Sequence, residues 1–173
     1  MLARPTKVPN TLLTAASSCV FHGVTNSKAG ISKPPEPAEV RAFSSVVDQD
    51  GRFAQVEETL SWIMRFPGGT LASCTCTYGN LMPGYFGVRG SRGTIMMEPA
   101  FNYDKLHLLA RFEREETVQL APDDPDPMQF VREADHMADC VLQNKEPKSS
   151  GQDGLRDMEL IAQIYRACER GAA

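Results

Sequence analysis

The sequence predicts an α+β domain: an open, mostly antiparallel β-sheet with helices packed on one face. Two observations carry this expectation. From residue 36 onward, short runs alternate apolar and polar residues and follow one another too closely for crossover helices, so neighbouring strands must pair antiparallel. Towards the C-terminus the alternation gives way to a 3.6-residue period, and two apolar stripes appear that each need a surface to cover.

The first strand is AEVRAFSSVV, which places Val40, Ala42, Ser44 and Val46 on one side. DQDG supplies turn chemistry, and QVEETLSWIMRF then sets Val56, Leu60, Trp62, Met64 and Phe66 opposite Glu57, Thr59, Ser61 and Arg65. Pro67 to Gly69 reads as a hairpin turn into TLASCTCTY. YFGVRG, GTIMMEP, KLHLLARF and ETVQL follow as further strands, bounded by Gly, Pro, Asn or Asp. Ile63 falls on the second face beside Thr59 and Ser61, so that face is expected to meet a partner rather than a second core. The first helix, FVREADHMADCVLQN, repeats its apolar residues at Phe130, Ala134, Met137, Ala138 and Val141. The second, GLRDMELIAQIYRACER, does so at Leu155, Met158, Ile161, Ile164, Tyr165 and Cys168.

A chain of 173 residues, 42% hydrophobic and 23% charged, accommodates one core. Its net charge of −4 exerts no pull toward nucleic acid or anionic lipid, so neither is expected as a partner, and no window approaches a membrane span. Cys19, Cys74, Cys76, Cys140 and Cys168 lack both the C-x-x-C pairs of a zinc site and the density of a secreted scaffold, which fits a reducing, cytoplasmic compartment. Cys74 and Cys76 sit two apart in a strand, so both point to one face as small packing residues; a redox pair is the other reading. Residues 1–35 differ in kind from the rest. They contain no Asp or Glu and carry Arg4, Lys7, Lys28 and Lys33 among many Ser, Thr and Ala, as a transit peptide does. We read them as an atypical, loosely ordered leader and residues 36–173 as the domain.

KSSGQDGLRDMELIAQIY brackets polar residues with glycines before a helical pattern, which raises the question of a phosphate grip. A dinucleotide fingerprint needs a strand, then glycines, then a helix whose free N–H groups meet the pyrophosphate. Here a helix comes first. Ser149-x-x-Gln152 and Ser150-x-x-Asp153 both have capping-box spacing, so the stretch is expected to start a helix. GVRGSRG spaces Gly87, Gly90 and Gly93 evenly around Arg89 and Arg92, but strands flank it and it reads as a hairpin. APDDPDP lacks the alternating ligands and glycine of a calcium loop and reads as a solvated linker. Glu133, His136 and Cys140 project from one helix at spacings of three and four, with Asp139 nearby, yet one helix supplies too few ligands for a metal. His136 is expected to pack at the helix margin or bond a backbone carbonyl. His22 and His107 have no recognisable partners, and neither G-x-S-x-G nor H-E-x-x-H occurs.

EPAEVRAF, VEETLSWIMRFPGGTLASCTCTYG, YFGVRGSRGTIMMEP, EADHMADCVLQNKEP and GQDGLRDMELIAQIYRACERG, in that order, resemble the C-terminal part of the glucose-fructose oxidoreductase and inositol dehydrogenase (Gfo/Idh/MocA) family. The likeness runs from about residue 36 to residue 171, and order and spacing carry it more than any one motif. The resemblance implies a first, Rossmann domain that binds NAD(P) and carries a lysine in a Lys-Pro motif, then an α+β domain that shapes the sugar site and forms oligomers. Only the second is represented here. The chain contains no G-x-G-x-x-G, and its Lys33-Pro34 lies in the leader. Where the family carries Asp-x-Gly-x-His or Asp-x-Gly-x-Tyr, this sequence reads SSCVFHGVTNSKAG, with His22 and Gly23 but no aspartate, so no catalytic role passes to His22.

Hydride transfer requires a nicotinamide held against the sugar carbon and a positioned acid or base. No catalytic, cofactor-binding or metal residue is therefore assigned. The substrate-pocket candidate is Tyr78, at the end of the third strand, with sheet packing as its other reading. The expected function is the substrate-side and oligomerisation domain of an NAD(P)-dependent sugar or polyol oxidoreductase, inactive alone; the alternative is a non-catalytic dimerisation or binding module of the same descent. Expected partners are a second copy through the open sheet face and a Rossmann domain, whether a missing N-terminal half or a separate chain.

Overall fold

The structure, a computed structural model, describes residues 19–20, 35–79, 84–102, 105–113, 117–121 and 128–171. Eight strands precede two helices: β1 (Cys19–Val20), β2 (Glu39–Ser45), β3 (Thr59–Arg65), β4 (Leu71–Thr77), β5 (Phe86–Gly90), β6 (Gly93–Met97), β7 (Leu108–Phe112), β8 (Val118–Leu120), α1 (Gln129–Leu142) and α2 (Gly151–Gly171). Every ladder is antiparallel, so the α+β class is as expected. The strands divide between two four-stranded sheets, in the orders β1-β4-β3-β2 and β5-β6-β7-β8. The division has a simple cause: β1, from within the segment read as a leader, occupies the outer edge of β4, so β5 lies beside β1 rather than pairing with β4. Apart from β1 and residue 35, that leader reading lies outside the described residues, as do His22, Lys33-Pro34 and residues 122–127 of the acidic linker.

The β3–β4 hairpin turns through Gly68 and Gly69 at φ of 92° and 88°, backbone that favours glycine. Gly69 N–H donates to the Phe66 carbonyl to close it. The GVRGSRG stretch is the expected hairpin, with Gly90 paired to Gly93 across Ser91 and Arg92. A Cβ on Gly93 would lie 2.4 Å from the Arg111 carbonyl oxygen, so the close approach of β7 demands glycine there.

The core lies between the first sheet and α2. Ala42, Leu60, Met64, Ala72 and Cys74 form the buried face of the sheet, and Ile164 and Ala167 of α2 close over Ala42 and Leu60. Cys76 packs at the margin, so both strand cysteines do face one side as small packing residues. Two alanines at the helix–strand contact bring α2 close to β2, and burying Leu60, Met64 and Ile164 contributes about 1.5–3 kcal/mol each. The stripe expected on α2 is corrected in its first half: Leu155 and Met158 are exposed, while Leu160 and Ala167 join Ile164 and Cys168 against the sheet. A spacing of i, i+4, i+7 and i+8 makes that face, with a small residue where the strand comes nearest.

The opposite face of the first sheet is polar with an apolar diagonal. Thr59 and Thr77 hydroxyls meet at 2.8 Å, Ser61 and Thr75 at 2.9 Å, and Glu39 pairs with Arg41 and Arg65. Phe43, Ile63 and Leu71 run diagonally across β2, β3 and β4, all exposed. Helix α1 behaves differently from α2. Of its side chains only Cys140 is buried, and the stripe that the sequence marks for a covering surface stands in solvent.

Candidate functional site

The start of β3, the end of β4 and the last turns of α2 come together around one carboxylate. Antiparallel register sets Thr59 opposite Thr77, and Tyr78 N–H donates to the Glu58 carbonyl at 2.9 Å, which brings Glu57 and Tyr78 to the same end of the sheet. Tyr165 lies on the flank of α2 that faces this end, and its hydroxyl donates to Glu57 Oε1 at 2.7 Å. Burial raises the Tyr165 pKa far above the usual phenol range, and the hydrogen bond to Glu57 adds to the shift. Cys168, one turn further on, has its thiol pushed up chiefly by burial; a hydrogen bond from Ser44 opposes that shift. Tyr78 is 43% exposed, and partial burial, with the charges of Cys76 and Glu57, raises its pKa as well.

With their pKa values raised, Tyr78, Tyr165 and Cys168 keep their protons at neutral pH and act as hydrogen-bond donors and acceptors rather than as bases. Tyr165 donates its proton to one oxygen of Glu57, and the half-exposed Tyr78 borders the same end of the sheet.

Beside it, Glu58 holds the shape of the site. Its carboxylate is buried and accepts from Val47 N–H at 2.6 Å and Asp48 N–H at 2.9 Å, tying the β2–β3 loop to the sheet. The loop is also braced by Arg52, which pairs with Asp48 and, at 2.5 Å, with Asp50. On the other flank of α2 a groove of about 510 Å³ runs along the outer edge of β2, lined by Pro37, Val40, Gln163, Arg166 and Ala167 among others.

Tyr78 is thus placed at the edge of a polar cluster that the sequence did not assemble. Glu57 reads there only as a solvent-facing strand residue, and Tyr165 and Cys168 only as members of an apolar stripe. The available signal is their polar tips at i and i+3 on a helix that covers a sheet. The metal-like trio separates: His136 Nε2 accepts from Lys148 N–H at 3.1 Å, the Cys140 sulfur lies 3.6 Å from the same nitrogen, and Glu133 is exposed. Among the described residues, no group of three or more potential ligands has the geometry to hold a metal ion.

The N-terminus of α2 does not fit a dinucleotide. Asp153 Oδ2 accepts from Ser150 N–H at 3.0 Å and from Ser150 Oγ at 2.8 Å, and Ser150 Oγ faces Asp153 N–H at 3.3 Å. The second of the two capping boxes is the one that forms, and a phosphate there would meet a carboxylate. The glycine-bracketed stretch therefore starts a helix.

Residues 33–173 match the family model for the oxidoreductase family, C-terminal alpha/beta domain. The chain belongs to the Gfo/Idh/MocA oxidoreductase family. Among curated proteins, the NADP-linked D-xylose 1-dehydrogenase of Haloarcula marismortui is 30% identical over 135 residues, a stretch covering 78% of this chain and 36% of that protein. Among solved structures, aldose-aldose oxidoreductase from Caulobacter crescentus superposes with a TM-score of 0.71 at 24% identity, over 89% of this chain and 53% of the other. A 3-ketoreductase from Actinomadura kijaniata gives 0.55 at 17% identity, over 90% and 52%. At these identities the structural likenesses speak for the fold. The chain spans about a third of the curated relative and about half of the solved ones.

Proposed function

We propose that this chain is the substrate-side and assembly domain of an NAD(P)-dependent sugar or polyol oxidoreductase and that it is inactive on its own. Membership of the family's C-terminal domain is the observation that carries this reading. The named activities of its relatives, on xylose and other aldoses, support a sugar as substrate. Tyr78 and Glu57 border the sugar pocket in this reading and bond its hydroxyls, while the nicotinamide comes from a Rossmann half. The cysteine spacing, with free thiols at Cys74, Cys76, Cys140 and Cys168, supports a reducing, cytoplasmic setting in this reading, and no helix among the described residues is long and apolar enough to cross a membrane.

The test is a fluorescence titration of NADPH with the purified chain, followed by a turnover assay with aldoses. No saturable binding and no turnover are expected; either one would overturn the proposal that the chain is inactive alone. The apolar diagonal Phe43, Ile63 and Leu71 favours a second element of the reading, self-association through the open sheet face. If the chain has instead become a non-catalytic module, sedimentation gives a stable dimer that no Rossmann half and no sugar perturbs.

A further inference from the structure

We infer that the groove between the outer edge of β2 and α2 is a docking site for an extended, acidic segment of a partner protein, which joins the first sheet as an added strand. Among the described residues β2 pairs with β3 alone, so its other edge is open along seven residues. The pairing pattern shows what that edge offers. Tyr78 N–H donates to the Glu58 carbonyl and Phe66 N–H to the Thr70 carbonyl, so the even-numbered residues of β3 bond to β4 and the odd-numbered ones to β2. Ile63 and Ser61 therefore engage Arg41 and Phe43, which leaves the N–H and C=O groups of Val40 and Ala42 pointing out of the sheet. They open into the groove of about 510 Å³, whose lining runs from Pro37 to Phe43 and takes Gln163, Arg166 and Ala167 from α2. A long open edge is a template for another strand unless lysine, proline or a covering element blunts it. The β2 run EVRAFSS contains neither of those residues.

Two observations select the occupant. Helix α2 lies over β2, with Ala167 packed in one cluster with Ala42. Two copies joined edge to edge through β2 would set their α2 helices about 5 Å apart, well under the roughly 8–10 Å that packed helices need. A second copy does not fit, whereas a strand with no helix above it does. The second observation is charge. Val40 and Ala42 face α2, while Glu39, Arg41 and Phe43 stand on the outer face. An added strand would lay every second side chain against Val40, Ala42 and Ala167 and the others beside Arg41. Arg41 and Arg65 both pair with Glu39, and Arg166 lines the same groove, so cations outnumber anions there on a chain whose net charge is −4. The segment that matches alternates apolar and acidic residues.

The test is fluorescence anisotropy of a fluorescein-labelled peptide alternating valine and glutamate, titrated with the purified full chain. Saturable binding is expected, and its absence overturns the inference. The same peptide is then made with alternate backbone nitrogens methylated, in both phases. Only one edge of the peptide pairs with β2, so one phase should bind at least tenfold more weakly and the other like the parent. Equal binding by both phases means that no strand is added, and the inference fails. A peptide with lysine in place of glutamate should also bind at least tenfold more weakly; equal binding overturns the acidic assignment. Arg41→Glu gives the matching change on the protein. That side chain is 77% exposed, so an unchanged melting midpoint is expected and is measured first. Binding of the glutamate peptide should then fall about tenfold, and unchanged binding places the peptide elsewhere and sinks the proposal. If sedimentation shows the peptide splitting a dimer of the chain, the natural occupant is a second copy and the inference fails.

Discussion

Tyr165 and Glu57 stand 108 residues apart in the chain and 2.7 Å apart in space. Because burial and this hydrogen bond raise the phenol's pKa, the folded state holds the proton more tightly than the unfolded chain. The associated stability is fully present below the ordinary tyrosine range near pH 10 and is lost as the pH climbs above it. Tyr165→Phe should cost about 1 kcal/mol at neutral pH and flatten the alkaline decline, which melting curves between about pH 8 and 11 compare directly with the parent. Glu58→Ala should cost more, about 2–3 kcal/mol in urea unfolding, because it leaves two backbone N–H groups of the β2–β3 loop without their charged acceptor. Neither role is legible in the sequence. Glu57 and Glu58 are adjacent carboxylates at the head of a strand, and only the register with β4 and the passage of α2 give them separate tasks.

At the scale of elements, what is local was readable. Ser150 and Asp153 satisfy one another within one turn, and Ser150→Ala should destabilise the fold by about 1 kcal/mol, measured by chemical denaturation. The alternation in β2 to β4 likewise assigned both faces of the sheet before any contact was known. The facing of α2 was less readable. Leu155 and Met158 satisfy the helical period as well as Leu160 does, and the choice between them depends on where β2 lies. Ala167 marks the seam. Ala167→Leu should overpack it and cost about 1–3 kcal/mol, with the loss read from the same denaturation curves.

For the whole molecule, the outer face of the first sheet and the stripe of α1 are among the surfaces without a covering layer among the described residues. Phe43→Glu should leave stability within about 0.5 kcal/mol yet shift the chain toward monomer in sedimentation, since Phe43 is 70% exposed. A stable dimer that survives this change would exclude the sheet face as the contact. The division into two sheets belongs to this scale as well. A two-residue strand, Cys19–Val20, takes the edge of β4, and nothing in its short, hydroxyl-rich surroundings announces that pairing.

Period and turn chemistry, both carried by near neighbours in the chain, determined the α+β class, the seven strands from β2 to β8 and the two helices, and the order of five sequence blocks carried the resemblance to the family. Tertiary structure alone decided which strand borders which, which flank of each helix meets protein, and that Glu57, Tyr78, Tyr165 and Cys168 gather at one end of a sheet. The physical reason is range. A hydrogen-bonded turn or an alternating strand is complete within a few residues, whereas a shared carboxylate or an uncovered apolar face exists only once distant segments have taken their places.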